Sequence, residues 1–173
     1  QQALGTCHTV TILPDGQKVG NNVEVSMVNS TGFTIPDLSA SQQICKPPVC
    51  KDVDSGIECE VLRRFEFDHC RMTSGVIVRC FKTNDIKVIF KGSYERIGEL
   101  CEKKSVPDNF KFYTEKYASD QFYVLGMGQK ILQNKLSKEQ ILSLTREECE
   151  ENLSLSGLLL FRNEIKEDSA AAL

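Results

Sequence analysis

Ile57-Glu58-Cys59-Glu60-Val61-Leu62-Arg63-Arg64-Phe65-Glu66-Phe67-Asp68 is a stretch of strand length, rich in branched and aromatic residues. Strict alternation puts Val61, Arg63, Phe65 and Phe67 on one face and Leu62, Arg64, Glu66 and Asp68 on the other, so Phe65 and Phe67 are expected to point inward. Two further β-prone runs follow, Val76 to Lys82 and Ile86 to Lys91. Thr73-Ser74-Gly75 and Thr83-Asn84-Asp85 supply the turns, which predicts an antiparallel meander.

Working toward the N-terminus, Leu13-Pro14-Asp15-Gly16-Gln17 is a hairpin signal, because Pro fixes φ and Gly takes a positive φ. Val23, Val25 and Met27 alternate with Glu24 and Ser26, the period of a strand. Asp37 to Gly56 is polar, and Pro47-Pro48 lacks two ladder donors, so loop 37–56 is expected between Cys45 and Cys50. Toward the C-terminus, Tyr94 to Lys104 has helical spacing. Asn109 to Tyr117 and Gln121 to Ile131 are expected as strands about Ala118-Ser119-Asp120, with Gly126 and Gly128 marking a bend, a bulge or a close backbone approach. Ser137 and Gln140 form a capping box with Leu136 and Ile141 as a staple, so a helix is expected from Lys138 to about Asn152, with Cys149 near its apolar stripe. A last strand is expected over Ser154 to Ile165.

The chain has 173 residues, 21 Lys and Arg against 24 Asp and Glu, and a net charge of −3. That balance argues against the basic field of a nucleic-acid binder. The longest apolar run is Leu158 to Phe161, so no membrane span is expected. Residues 1–169 are expected to form a single domain. Ala170 to Leu173 looks like a cloning remnant, and a chain starting at Gln1 without an apolar leader is expected to be a mature form whose signal peptide is gone.

Eight cysteines, Cys7, Cys45, Cys50, Cys59, Cys70, Cys80, Cys101 and Cys149, are an even number with no C-x-x-C pair. Four disulfides rather than a metal site are therefore expected, which implies an oxidising compartment and a secreted, extracellular protein. The sequons at Asn29 and Asn152 fit glycosylation on that route.

Chemistry-bearing residues are few. His8 and His69 each sit beside a cysteine, but cysteines held in disulfides offer no thiolate. Asp52 and Asp54, or the run Glu147, Glu148, Glu150 and Glu151, could serve as acid/base pairs or cation ligands, but the Glu run lies on an amphipathic helix and reads as a solvated face. No cofactor, metal or catalytic site is expected, and the chain reads as a non-enzymatic binder.

The order hairpin, helix beginning Ser137-Lys138-Glu139-Gln140, and strand Leu155 to Phe161, all within Phe110 to Phe161, resembles the closing half of a lipocalin. The family's Gly-x-Trp hallmark is missing, because the chain contains no Trp. The resemblance implies a mainly β, disulfide-bonded antiparallel β-barrel with one short helix and one capped C-terminal helix. A disulfide-stapled β-sandwich and an α+β sheet are the alternatives. It further implies a small apolar or amphipathic ligand inside the barrel, bound by Arg63, Phe65, Phe67, Arg79, Phe112 and Phe122. The competing function is a protein-protein interaction module, such as a receptor-binding protein, inhibitor or immune modulator, that meets another extracellular protein through loop 37–56.

Overall fold

The computed structural model describes residues 1–35, 49–132 and 136–162. Its elements in chain order are α1 (Gln2–Thr6), β1 (Thr11–Ile12), β2 (Lys18–Val19), α2 (Asn22–Asn29), β3 (Phe33–Thr34), β4 (Val49–Asp52), β5 (Glu58–Asp68), β6 (Thr73–Cys80) and β7 (Ile86–Ser93). They continue with α3 (Tyr94–Leu100), a 3-10 turn (Lys103–Ser105), α4 (Phe110–Ser119), β8 (Tyr123–Leu132), α5 (Lys138–Ser143), α6 (Arg146–Glu150) and β9 (Ser154–Phe161). The protein is mainly β.

Strands β3 to β9 form one seven-stranded antiparallel sheet in sequence order, and β1 pairs with β2 in a separate hairpin turned at Gly16. The sheet has two ends, at β3 and β9, so the closed barrel that the lipocalin resemblance implied does not form among the described residues. Helices cover both faces instead. On one face Phe65, Ile77, Val88 and Phe90 pack with Ile97 of α3, Ile141 of α5 and Cys149 of α6. On the other, Val61, Val76, Val78, Ile89 and Met127 pack with Cys7, just after α1, and Met27 of α2. Coverage on both faces explains why β6 and β7 read as nearly continuous apolar runs rather than alternating ones.

Several expected elements change. Val23 to Met27 lies in α2, started by Asn21, whose side chain accepts from the Val23 amide. The stretch from Asn109 is α4 rather than a strand. Its less exposed residues Phe110, Thr114 and Tyr117 follow helical spacing, while Phe112 is 63 % exposed. The helix expected over Lys138 to Asn152 is two, because Thr145 and Glu148 make a second capping box that starts α6 afresh. The β5–β6 turn lies at His69 to Met72 rather than at Thr73 to Gly75, and Met72 takes φ 53°. Gly126 and Gly128 are close approaches as expected: a Cβ would come within 2.8 Å of Ile97 and 3.2 Å of the Cys101 sulfur, respectively.

The four expected disulfides are also corrected. Cys7, Cys50, Cys59, Cys70, Cys80, Cys101 and Cys149 are all free thiols, and all but Cys70 are buried. An unbridged cysteine behaves as a small hydrophobe, so an even count with wide spacing describes core packing equally well. Cys45, residues 37–48 of the loop, Ile165 and Ala170 to Leu173 lie outside the described residues.

Candidate functional site

β5 carries two irregularities that decide where its side chains go. Val61 pairs with Val78 but Arg63 pairs with Ile77, so Leu62 is an extra residue and Val61 faces away from Arg63 and Phe65. Phe65 pairs with Gly75 and Asp68 with Thr73, so Glu66 and Phe67 together oppose the single residue Ser74. Simple alternation therefore fails at Phe67, which was expected inside and is 48 % exposed. The edge of the His69 ring meets it at 5.0 Å between centroids. Ser74 in turn opposes Lys91 on β7, so the bulged pair Glu66 and Phe67 lies across Ser74 from Lys91.

Lys91 is the charged centre of this face. It is 5 % exposed, and its Nζ donates to the Cys7 carbonyl at 2.7 Å and to Glu24 Oε1 at 2.5 Å. Glu24 Oε2 accepts from the Thr9 amide at 2.8 Å and the Thr9 hydroxyl at 2.7 Å. Burial alone would raise the Glu24 pKa, but the Lys91 charge and the hydrogen bonds from Lys91 and Thr9 hold it below the usual value. Arg64 donates to the carbonyls of Thr6, at 3.2 Å, and His8. Two cations of the sheet thus fix the three successive carbonyls Thr6, Cys7 and His8 at the C-terminal end of α1. His8 is buried beneath them, with Nε2 3.1 Å from the Gly5 carbonyl and Nδ1 accepting from the Val10 amide at 3.1 Å. Burial, reinforced by the Arg64 charge, lowers its pKa to about 4, so this ring is neutral at pH 7. Cys7, His8, Thr9, Glu24, Arg64, Ser74 and Lys91 line one small cleft.

The six residues expected to bind a ligand do not converge. Arg63 lies over the Phe65 ring at 4.5 Å, but its guanidinium donates to the carbonyls of Leu142, at 3.1 Å, and Leu144, which close α5. Phe65 packs on Phe90 at 5.3 Å in the core. Arg79 pairs across the strands with Glu60 at 3.5 Å. Phe112 stands in solvent on α4, and Phe122 lies under Arg162 at 4.4 Å. Of the two sequons, Asn29 is exposed and accepts from Lys18 at 2.6 Å, and Asn152 is exposed with φ 54°. Sequence reasoning missed Lys91 and Glu24 because each sat in a run read as a strand, which carries no hint that they meet.

The exposed Phe67 ring, with the His69 ring against it, offers a face on which a flat ring can stack, whereas the Lys91 charge is buried and already met by Glu24. No protein-family profile matches the chain. Its homologues are cation- and polyamine-transporting ATPases. It is 30 % identical over 178 residues to polyamine-transporting ATPase 13A2 of Homo sapiens, covering 95 % of this chain and 15 % of that protein. It is also 30 % identical over 182 residues to probable cation-transporting ATPase 13A4 of Gallus gallus, covering 99 % of this chain and 15 % of the relative. Polyamine-transporting ATPase 13A3 of Homo sapiens is 21 % identical over 98 % of this chain. The chain therefore spans about 15 % of the length of the relatives it matches first.

These matches correct the lipocalin resemblance and, with it, the secreted, extracellular, non-enzymatic carrier. The relatives are transporting ATPases, which are enzymes, and the free thiols remove the argument for an oxidising compartment. No described helix is long and apolar enough to cross a membrane.

Proposed function

We propose that this chain is the nucleotide-holding part of an ATP-driven cation or polyamine transporter, with ATP lying from Phe67 across Ser74 toward Lys91. The observation that carries the reading is the β5 bulge, which leaves Phe67 open to solvent opposite Ser74, itself opposite Lys91. Phe67 offers a stacking face to the base, and Lys91 would reach the phosphates only by giving up its bond to Glu24. The names of the relatives, which join ATPase to polyamine or cation transport, support the same reading. Hydrolysis and transport would then depend on the rest of a longer protein.

Calorimetric titration with MgATP tests it. Saturable binding is expected, weakened by about 1–3 kcal/mol in Phe67→Ala, the usual worth of a base–aromatic stack. Absence of saturable binding at millimolar MgATP would overturn the reading. Saturable spermine binding in its place would assign the surface to the transported cation.

A further inference from the structure

The bulge that exposes Phe67 is held from the opposite face of the sheet. Arg146, the first residue of α6, sends Nη1 to the carbonyl of Glu66 at 2.9 Å. Its Nη2 donates to the Thr73 carbonyl at 2.7 Å and the Thr73 hydroxyl at 3.0 Å. One guanidinium therefore bridges the residue before Phe67 and the strand across from it. Glu150, one turn further along α6, fixes that guanidinium. Its Oε1 accepts from Arg146 Nε at 2.9 Å and from the Thr73 hydroxyl at 2.7 Å. Its Oε2 accepts at 2.9 Å from Arg71 in the β5–β6 turn, which also pairs with Glu147. The turn is braced locally as well, because Asp68 Oδ1 accepts from the amides of Cys70 at 2.8 Å and Arg71 at 3.1 Å.

Glu150 is 1 % exposed, and its bonds to Thr73 and Arg71 join α6 to β6 and the turn. A buried carboxylate whose oxygens are all engaged by a fork-shaped cation, a second arginine and a hydroxyl is a rigid joint. A bulge leaves its one extra residue outside the ladder, so its geometry must come from elsewhere. Arg63 does not share this task, since it is spent on the end of α5.

We propose that Arg146 and Glu150 are positioning residues for the nucleotide: through the Glu66 carbonyl and Thr73 they set the bulge from which Phe67 meets the base. This inference rests on the proposed function and makes a narrower claim. Arg146 touches no part of the nucleotide and acts only through Phe67, so its loss should affect base recognition and leave phosphate recognition intact.

The test compares MgATP with inorganic tripolyphosphate on the full chain. Arg146→Gln is expected to weaken MgATP by about tenfold, the scale of one lost stack, and to leave tripolyphosphate unchanged. Phe67→Ala should show the same split. The double variant should bind MgATP no worse than Phe67→Ala alone, because the arginine has nothing left to position. If Arg146→Gln fails to fold, Glu150→Gln replaces it with the same expectations. Unchanged MgATP affinity in the folded variant, equal weakening of both ligands, or losses that multiply in the double variant would each overturn the proposal. A wild-type chain that binds no MgATP sinks the nucleotide reading instead. The positioning claim then stands or falls on the nuclear Overhauser contact between the Phe67 and His69 rings, which should vanish in Arg146→Gln and would refute positioning if retained.

Discussion

Lys91 Nζ and Glu24 Oε1 meet at 2.5 Å although the residues lie 67 positions apart, one on a central strand and the other on α2. Their side chains are only 7 % and 12 % exposed, so neither charge could be left alone at small cost. The pair joins α2 to the sheet, and the Cys7 carbonyl and Thr9 complete its hydrogen bonds.

Removing one partner should therefore hurt more than removing both. Lys91→Met strands the Glu24 carboxylate in a buried site and is expected to cost about 3–5 kcal/mol in urea unfolding. Adding Glu24→Leu to that variant should recover much of the loss. Single-variant costs below about 1 kcal/mol, the range of exposed pairs, would show that water reaches the pair.

His8 gives the fold a pH dependence with a defined sign. Its folded pKa of about 4 lies below the ordinary 6.5, so the unfolded chain takes up the proton first as pH falls. The stability it contributes is complete above pH 6.5, declines between 6.5 and about 4, and changes no further below that. The full swing is on the order of 3 kcal/mol. Glu24, also depressed, adds a loss of the same sign at lower pH, within and below the usual carboxylate range. Unfolding free energies from about pH 7 to about pH 5 should fall steeply in the wild type and more gently in His8→Gln. Parallel curves would mean that His8 has the same pKa in the folded and the unfolded chain.

The meander, the turn at Gly16 and the caps at Ser137 were legible because each is a local code of a few residues acting over one turn or one strand. Phe67 was not, since parity counting assumes an unbroken ladder, and an inserted residue reverses it without leaving a mark in composition. α4 was misread for a related reason. Phe110 and Phe112 suggested a period of two, whereas Phe110, Thr114 and Tyr117 carried the helical period actually used. The second capping box, Thr145 with Glu148, was readable but lay inside an apolar repeat that seemed continuous. Arg146 and Glu150 meet Glu66 and Thr73 across more than seventy positions, a relation no local pattern encodes.

Gly92 tests the packing between the β5–β6 turn and β7. A Cβ there would collide with the Met72 carbonyl and lie 3.0 Å from Thr73 Cα, both backbone atoms that cannot rotate away. Gly92→Ala is expected to destabilise by about 1–3 kcal/mol through forced backbone movement. Because Met72 and Thr73 flank the turn beyond Phe67, MgATP affinity should fall as well. Gly16→Ala meets no atom but forces Ala to φ 84°, so it should cost stability through backbone strain alone and leave nucleotide binding unchanged.

The thiols decide between a core held by packing and one held by covalent bridges. Cys59 stands opposite Cys50 on one neighbouring strand and Cys80 on the other, all three buried and unbridged. Burial, helped by the Cys80 beside it, pushes Cys59 up to about 12, and burial takes Cys101 to about 11. Such groups hold their protons at neutral pH and are poor nucleophiles toward a disulfide reagent. Cys70, exposed in the β5–β6 turn, should react with Ellman's reagent in the native state, while Cys7, Cys50, Cys59, Cys80, Cys101 and Cys149 react only after unfolding. Dithiothreitol should leave the melting temperature where it was. Loss of a native disulfide would cost about 2–5 kcal/mol, so a marked fall under reductant would reinstate the bridges and remove the packing account of the cysteines.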